Sequence, residues 1–569
     1  MANNERQWWK EAIVYQVYPF SFKDTTGNGI GDLNGITSKL TYLRDLGVDV
    51  IWLSPIYASP MKDQGYDISD YRAINPDLGT MADFDNLVAE AHRIGLKVVM
   101  DLVVNHTSDQ HAWFQDSKAG GEKRDWYIWK PAKIGTDGQK EEPNNWGAIF
   151  GGSCWEWSPE RQEYYLHVFD VSQPDLNWEN PDVRTAVWDI MEFWLEKGCD
   201  GFRMDVINCI SKDPGFPDVP ILDESQKFQY GLKSRFNGPQ VIPYLTEMYD
   251  KVISKRQPAI FTVGETPGVA TPQEAIEYLQ AGRPLQMLFH FEHMYIDHQP
   301  GKTCFYKREW ALTELKAILG GFMTYMQDHD GWDSLYLENH DQPRIVSRWA
   351  DDGDDTLRER AAKMLALFHV TGRGTVFIYQ GQEIGMANAK QWTFDELRDV
   401  EQINHYNTIK ATRPEGADMS DVLADIQRIG RDNSRLPISW DASRNAGFTS
   451  GTPWIKVNED YQTWNVASQE GKKGSVLSFW QQLLKLRKSE PTLVYGRFEL
   501  VDEASEDVYA YTRSDADGVF LVVCSFKSKE VSWNCPIEAK GKLIMSNYDV
   551  QEGDGKMSLK PYECRLYRR

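Results

Sequence analysis

What the sequence most lacks is paired cysteine. Its seven cysteines (Cys154, Cys199, Cys209, Cys304, Cys524, Cys535 and Cys564) are odd in number, scattered and never in a Cys-x-x-Cys spacing. That argues for reduced thiols and against a disulfide framework or a zinc site. Long apolar runs are missing too, and no uninterrupted stretch is long enough to span a bilayer. The amino terminus, MANNERQWWKEAIVY, shows no basic segment followed by an apolar run, so a cytoplasmic protein is expected. Positive charge is in short supply: Lys plus Arg is 62 against 84 for Asp plus Glu, a net charge of −22. Such a polyanion repels nucleic acid and anionic membranes, and neither is expected as a partner. Internal repeats and low-complexity tracts are absent as well.

The chain that remains is an ordinary globular one of 569 residues, too long for one compact core. Segments rich in β-branched residues begin at Ala12, Val48, Leu96, Gly201, Ala259, Pro284, Ser334 and Thr375. Helix-period stretches separate them, a strand and helix alternation that implies a parallel sheet buried on both faces. In one such helix Asn180 caps, Pro181 fits the first turn, Val183, Val187, Ile190, Met191 and Trp194 form the apolar stripe, and Gly198 supplies the stop. A second stripe runs through Met81, Phe84, Leu87, Val88 and Ala91.

Eight units of this kind predict a (β/α)8 barrel, an α/β fold whose chemistry sits at the carboxyl ends of the strands. The expected barrel covers 1–105 and 174–494. The connection 106–173 is too long for a turn and reads as a small inserted domain over the barrel mouth. A further long excursion runs from about 387 to 470. Near its end the last barrel helix carries Val476, Trp480, Leu483, Leu484 and Arg487, and Pro491 prevents its continuation. Short alternating segments from 495 to 569 predict a C-terminal antiparallel β-domain.

Chemistry-bearing residues collect at the predicted strand ends. In DGFRMDVIN the period-two pattern places Arg203 and Asp205 on one face, so that the cation favours the ionised carboxylate a nucleophile needs. An ordinary strand-end ion pair is the other reading. Glu265 lies in the apolar setting FTVGETPG, where desolvation raises a carboxyl pKa and suits an acid. Asp341, beside His340, is a third carboxylate able to favour a positively charged transition state. Singly, each acid reads equally well as a helix cap; three at three strand ends point to glycoside hydrolysis. His106 and His340 lie on different strands without metal spacing, so hydrogen bonding to sugar is the more economical role.

The segments DLVVNH (101–106), GFRMD (201–205), GE (264–265) and NHD (339–341) resemble, in this order, the four signature regions of the α-amylase family, family 13 of the glycoside hydrolases. QPDLN (173–177) resembles the extra region of its oligo-1,6-glucosidase subfamily. The resemblance covers essentially the whole chain. It implies a retaining double displacement with Asp205 as nucleophile, Glu265 as acid/base and Asp341 as stabiliser.

By the same resemblance Asp63, Tyr66, His106, Arg203, His340 and Arg431 would hold the terminal glucose. Phe150, Phe169 and Gln173 would line the pocket, with Asp63 and Arg431 closing its far end. Val206 is similar to the residue found after the nucleophile in α-1,6-preferring isomaltases, where α-1,4-preferring maltases more often carry Ala or Thr; a β-branched residue also suits a strand there. The expected activity is release of glucose from isomaltose and short isomalto-oligosaccharides, with sucrose or maltose as further substrates. A sucrose isomerase or transglucosylase is the alternative within the family, and a non-catalytic amylase-like subunit the alternative outside enzymes. The segment 294–310 lacks the arginine-rich pattern of the isomerases.

The loop from Asp24 to Asp32 alternates oxygen-bearing residues with glycines, which suits either a hard cation or a plain glycine turn. It resembles the family's calcium loop, implying one structural calcium ion held by Asp24, Thr26, Asn28, Ile30 and Asp32. Thr26 replaces the usual Asn and Asn28 the usual Asp, which would weaken binding. No organic cofactor is expected, and a monomer acting on a small oligosaccharide is.

Overall fold

The computed structural model describes residues 6–230, 234–280, 282–536, 541–550 and 556–569. Residues 1–5 of the amino-terminal segment read above lie outside it. All eight β-branched segments form strands of one parallel sheet: β1 (Ile13–Val17), β2 (Val50–Leu53), β3 (Lys97–Val103), β4 (Gly201–Asp205), β5 (Phe261–Glu265), β6 (Met287–Phe289), β7 (Ser334–Leu335) and β8 (Thr375–Tyr379). Their order, β6-β5-β4-β3-β2-β1-β8-β7, is sequential around a barrel. The seam between β6 and β7 is spanned by side chains: the Ser334 hydroxyl donates to the Leu288 carbonyl at 2.7 Å and the Tyr336 hydroxyl to the His290 carbonyl at 2.8 Å. The chain is thus a (β/α)8 barrel with a C-terminal antiparallel sheet.

Local chemistry sets the helices that precede the site. Helix α1 (Met81–Arg93) opens on a capping box between Thr80 and Asp83. Helix α2 (Pro181–Glu196) starts where Asn180 accepts the Asp182 N–H, buries Val183, Val187, Ile190, Met191 and Trp194, and is followed by Gly198 at φ +94°. The turn after it delivers the chain to β4.

Between β3 and α2 the chain builds a separate three-stranded sheet from Trp129–Lys130, Glu163–Leu166 and Trp155–Ser158. Its apolar side packs with Val206, Cys209, Val219 and Phe236, from the segment after β4, into a second core around Trp146. The residue after Asp205 therefore belongs to the packing of this upper unit, a connection invisible in the sequence pattern.

Helices α3 (Asp355–Thr371) and α4 (Val476–Ser489) carry the last barrel strand and the C-terminal sheet, β9 (Arg497–Val501), β10 (Val508–Asp515), β11 (Gly518–Ser525), β12 (Lys542–Ser546) and β13 (Cys564–Arg568). Two arginines join these parts. Arg487 of α4 and Arg513 of β10 are buried, and both donate to carbonyls at the end of α3, Val370 and Gly372 from the first, Thr371 and Gly372 from the second. Guanidinium charge meets the negative end of a helix there. Among the described residues no helix is long and apolar enough to cross a membrane.

Candidate active site

Strand β4 turns its alternate residues Arg203 and Asp205 into one buried space at the top of the barrel, as the period-two pattern requires. Arg203, 1% exposed, is the hub. Its Nη1 reaches Asp205 Oδ1 at 2.7 Å and Asp101 Oδ1 at 2.9 Å, and its Nη2 reaches Glu265 Oε2 at 2.7 Å. The last residues of β4 and β5 are thus pinned to the two nitrogens of one guanidinium. Asp205 and Glu265 thus lie close together, each on its own nitrogen of Arg203.

This departs from the sequence expectation in two respects. Burial, reinforced by the carboxylates of Glu265 and Asp101, pushes the Asp205 carboxyl well above its usual range against the pull of Arg203. Glu265, expected in an apolar setting, accepts from Arg203 and from the Val206 N–H at 3.1 Å. Its neighbours are polar because the strand's inward face meets Arg203, which FTVGETPG does not reveal.

Asp341 is the opposite case. Although burial opposes it, His340 at 3.0 Å, Arg431 at 3.0 Å and Arg435 at 2.7 Å hold its carboxyl well below the usual range. Asp63 is raised to about 7, by burial first, against Arg431 and Arg435. It accepts from Gln173 at 2.9 Å and faces Arg431 at 3.5 Å. Burial lowers His106 to about 4, leaving a neutral ring whose Nε2 lies 3.1 Å from the Tyr66 carbonyl and 3.3 Å from Gln173 Nε2. Tyr66 stacks on His340 with centroids 5.1 Å apart, and Arg431 sits 4.8 Å over the Phe150 ring.

A cavity of about 200 Å³ opens over these groups. Of the residues named from the sequence, Asp63, Tyr66, His106, Phe150, Phe169, Asp205, Val206, Glu265, Asp341 and Arg431 line it. Gln173, Arg203 and His340 do not; they are buried one layer behind and act on residues that do. The sequence reading missed Phe291, Tyr295, His298 and Cys304, from the segment after β6, and Glu401 from the long excursion after β8. Glu401 opens a polar helix, Val400–Ala411, with no motif around it, and the cavity alone reveals it. Asp399, beside it, binds Arg431 at 2.6 Å and Arg435 at 2.8 Å.

The predicted metal loop is closed by its own donors. Asp24 Oδ1 accepts the N–H groups of Thr26 at 2.7 Å and Gly27 at 2.8 Å, while Oδ2 accepts the Gly29 N–H at 2.8 Å and the Thr449 hydroxyl. Asp32 takes the Thr25 N–H at 2.6 Å, the Thr25 hydroxyl at 2.8 Å and the Gly35 N–H at 2.7 Å. Asn28 Oδ1 accepts the Ile30 N–H at 2.9 Å. All four carboxylate oxygens of Asp24 and Asp32 accept hydrogen bonds from within or beside the loop. Among the described residues no group of three or more His, Cys, Asp or Glu is placed to hold a metal ion.

The geometry is matched by known proteins. The family described as alpha amylase, catalytic domain, matches residues 16–496. An oligo-1,6-glucosidase of Parageobacillus thermoglucosidasius is 48% identical over 572 residues, 99% of each chain. The crystal structure of a trehalose-6-phosphate hydrolase of Bacillus licheniformis superposes with a TM-score of 0.90 at 44% identity, covering 99% of this chain and all of that one. An isomaltulose synthase of Erwinia rhapontici NX5, in complex with sucrose, gives 0.93 at 38% identity over the whole of both chains.

Proposed function

The chain belongs to the alpha-amylase family of glycoside hydrolases, and from that premise we propose that it is a retaining, exo-acting α-glucosidase that releases terminal α-1,6-linked glucose from isomaltose and short isomalto-oligosaccharides. The observation that carries the mechanism is Arg203 holding Asp205 and Glu265 at once. Oxygens on two nitrogens of one guanidinium keep the two carboxyls close, which supports the short separation of a retaining site over the wider gap an inverting site needs for its water.

With substrate in place, Glu265 donates a proton to the glycosidic oxygen as the glycosidic C–O bond breaks, and the leaving sugar departs as an alcohol. Asp205, now ionised on Arg203, forms the bond to the anomeric carbon. Glu265 then takes a proton from water as that water displaces Asp205 and releases glucose. Asp341, ionised throughout, stabilises the positive charge on the sugar ring in both steps.

On this reading the Asp63–Arg431 contact closes the far end of the site, which suits cleavage of single terminal units. Charge argues against a phosphorylated substrate like that of the trehalose-6-phosphate hydrolases. Arg431 is the one cation among the described residues lining the cavity, and it is committed to Asp63, Asp341, Asp399 and Glu401. Against sucrose isomerisation stands the segment 294–310. Tyr295, His298 and Cys304 reach the cavity, but its one arginine, Arg308, pairs with Glu314, so no guanidinium from it retains the leaving sugar.

The buried thiols of Cys154, Cys199, Cys209, Cys524 and Cys564 support a cytoplasmic setting. Calcium at the Asp24–Asp32 loop is proposed only as weak binding, since an ion must displace N–H and O–H donors already bound.

The test is kcat/KM on isomaltose and maltose, with product analysis on sucrose. A ratio favouring isomaltose and glucose plus fructose from sucrose are expected. A ratio favouring maltose overturns the linkage, and abundant isomaltulose or trehalulose overturns hydrolysis.

A further inference from the structure

Lys212 follows the short helix Ile207–Ile210 that β4 runs into, and its side chain is 3% exposed. Its Nζ lies 2.6 Å from Asp175 Oδ2 and 2.7 Å from Asn105 Oδ1. Neither Lys212 nor Asn105 lines the catalytic cavity, whereas His106, next to Asn105, does.

An ammonium has donors only. The Asn105 atom that meets it is therefore the carbonyl oxygen, which turns the amide nitrogen the other way. That nitrogen stands 3.2 Å from Asp175 Oδ2 and 3.2 Å from His106 Nδ1, one partner for each of its two protons. His106 Nδ1 must then accept. Across the ring, Nε2 lies 3.1 Å from the Tyr66 carbonyl, which also accepts only, so the ring proton belongs on Nε2. Both edges of the imidazole require the same tautomer. The other tautomer would oppose two donors at Nδ1 and two acceptors at Nε2, and an imidazolium would repeat the clash at Nδ1.

The charged groups facing the ring are Asp175 and Lys212, with Asp63 beyond Gln173. Burial lowers His106 to about 4, Asp175 opposing and Lys212 assisting, so the ring is neutral from mildly acid pH upward. Gln173 is the one competing neighbour. Its Oε1 accepts the Asp170 N–H at 2.9 Å, so its Nε2 faces Asp63 and comes to 3.3 Å from the ring Nε2, a donor beside a donor.

Resting on the α-glucosidase reading above, we propose that Lys212 is a positioning residue for the glucose site: acting through Asn105, it fixes the His106 proton on Nε2, so that the ring meets the sugar as a neutral donor. Lys212 thus acts on substrate binding through an amide and a ring, without touching the sugar.

The experiment reads the 15N chemical shifts of the His106 ring in the full chain labelled with [15N]histidine, the signals being assigned by their loss in His106→Gln. The parent chain should carry its proton on Nε2 at pH 6 and at pH 8. Asn105→Asp replaces the donor at Nδ1 by an oxygen, so the ring should be protonated on both nitrogens at pH 6, and KM for isomaltose should rise roughly tenfold with a smaller change in kcat. Lys212→Met should give a mixture of tautomers, and Lys212→Arg should restore the parent shifts. Should Lys212→Met fail to fold because Asp175 is left unpaired, Asn105→Asp, equal in size and still bound to Lys212, decides. A parent proton on Nδ1 overturns the proposal and makes Gln173 the residue that sets the ring; a neutral ring in Asn105→Asp at pH 6 overturns it too. The shifts are read without substrate, so a chain that cleaves maltose and not isomaltose refutes the linkage and leaves the role of Lys212 to be decided by them.

Discussion

The N–H of Val206 donates to Glu265 Oε2 at 3.1 Å from a backbone held at φ +31° and ψ +45°. A β-branched residue in the left-handed region is strained by on the order of 1–3 kcal/mol. The residue following Asp205 thus holds Glu265 with its main chain while its side chain faces the cavity. Val206→Thr keeps the branched Cβ and adds a hydroxyl to the cavity wall. It should shift kcat/KM from isomaltose toward maltose by roughly tenfold with little change in melting temperature. An unchanged ratio would show that the residue after Asp205 does not set linkage.

Glu265→Gln should lower kcat on isomaltose by about 10²–10⁴-fold. On an aryl glucoside whose leaving group needs no proton, the first step should survive and a burst of phenol should precede slow turnover. Equal losses on both substrates, without a burst, would remove Glu265 from the acid role.

Asp333 offers a pH test away from the cavity. It is 3% exposed, and burial raises its carboxyl to about 7, opposed by the Ser334 N–H and Arg373. A carboxyl raised on folding contributes stability that is full below its unfolded pKa and is lost as pH rises through about 7. Asp333→Asn should therefore gain on the parent chain between pH 5 and pH 8. Melting temperatures of both chains at the two values check it, and a constant difference refutes it.

Arg513 has carbonyls where most buried arginines have carboxylates: Thr371, Gly372, Leu493, Val494 and Gly496. Burial pushes its pKa well below the ordinary arginine value. Arg513→Leu should cost about 3 kcal/mol or more by leaving those carbonyls unpaired, seen as a lower denaturant midpoint. Its distance from the cavity predicts unchanged kcat/KM in the folded fraction.

At the Asp24–Asp32 loop, chelation with EDTA should leave the melting temperature nearly unchanged, and millimolar calcium should raise it only slightly. A rise of many degrees would mean that the loop opens to a tight site on binding.

How much of this the sequence held depends on what each part is made of. The eight barrel strands and the five of the C-terminal sheet were legible because burial on two faces or one writes itself as β-branched runs or alternation. Helix α2 was legible down to its cap, since Asn180, Pro181 and Gly198 act through local backbone chemistry. The acids at the strand ends were legible through the barrel's geometry and the family resemblance.

What the sequence did not disclose is relational. That Arg203 serves Glu265 as fully as Asp205 depends on β5 lying beside β4. Glu401 and Asp399 come from an excursion without periodicity, and their place follows from Arg431, a partner about thirty residues away. Gln173, Arg203 and His340 carry the right motifs yet sit behind the cavity wall, since a motif marks a neighbourhood and not the direction of access.

On the exo-acting reading the Asp63–Arg431 contact also dictates the order of traffic: glucose comes to rest against it, so the shortened sugar must leave before the glucose behind it can. The protein cannot thread along a chain; each cut ends with complete emptying, and accumulated glucose competes for the same berth as the next substrate.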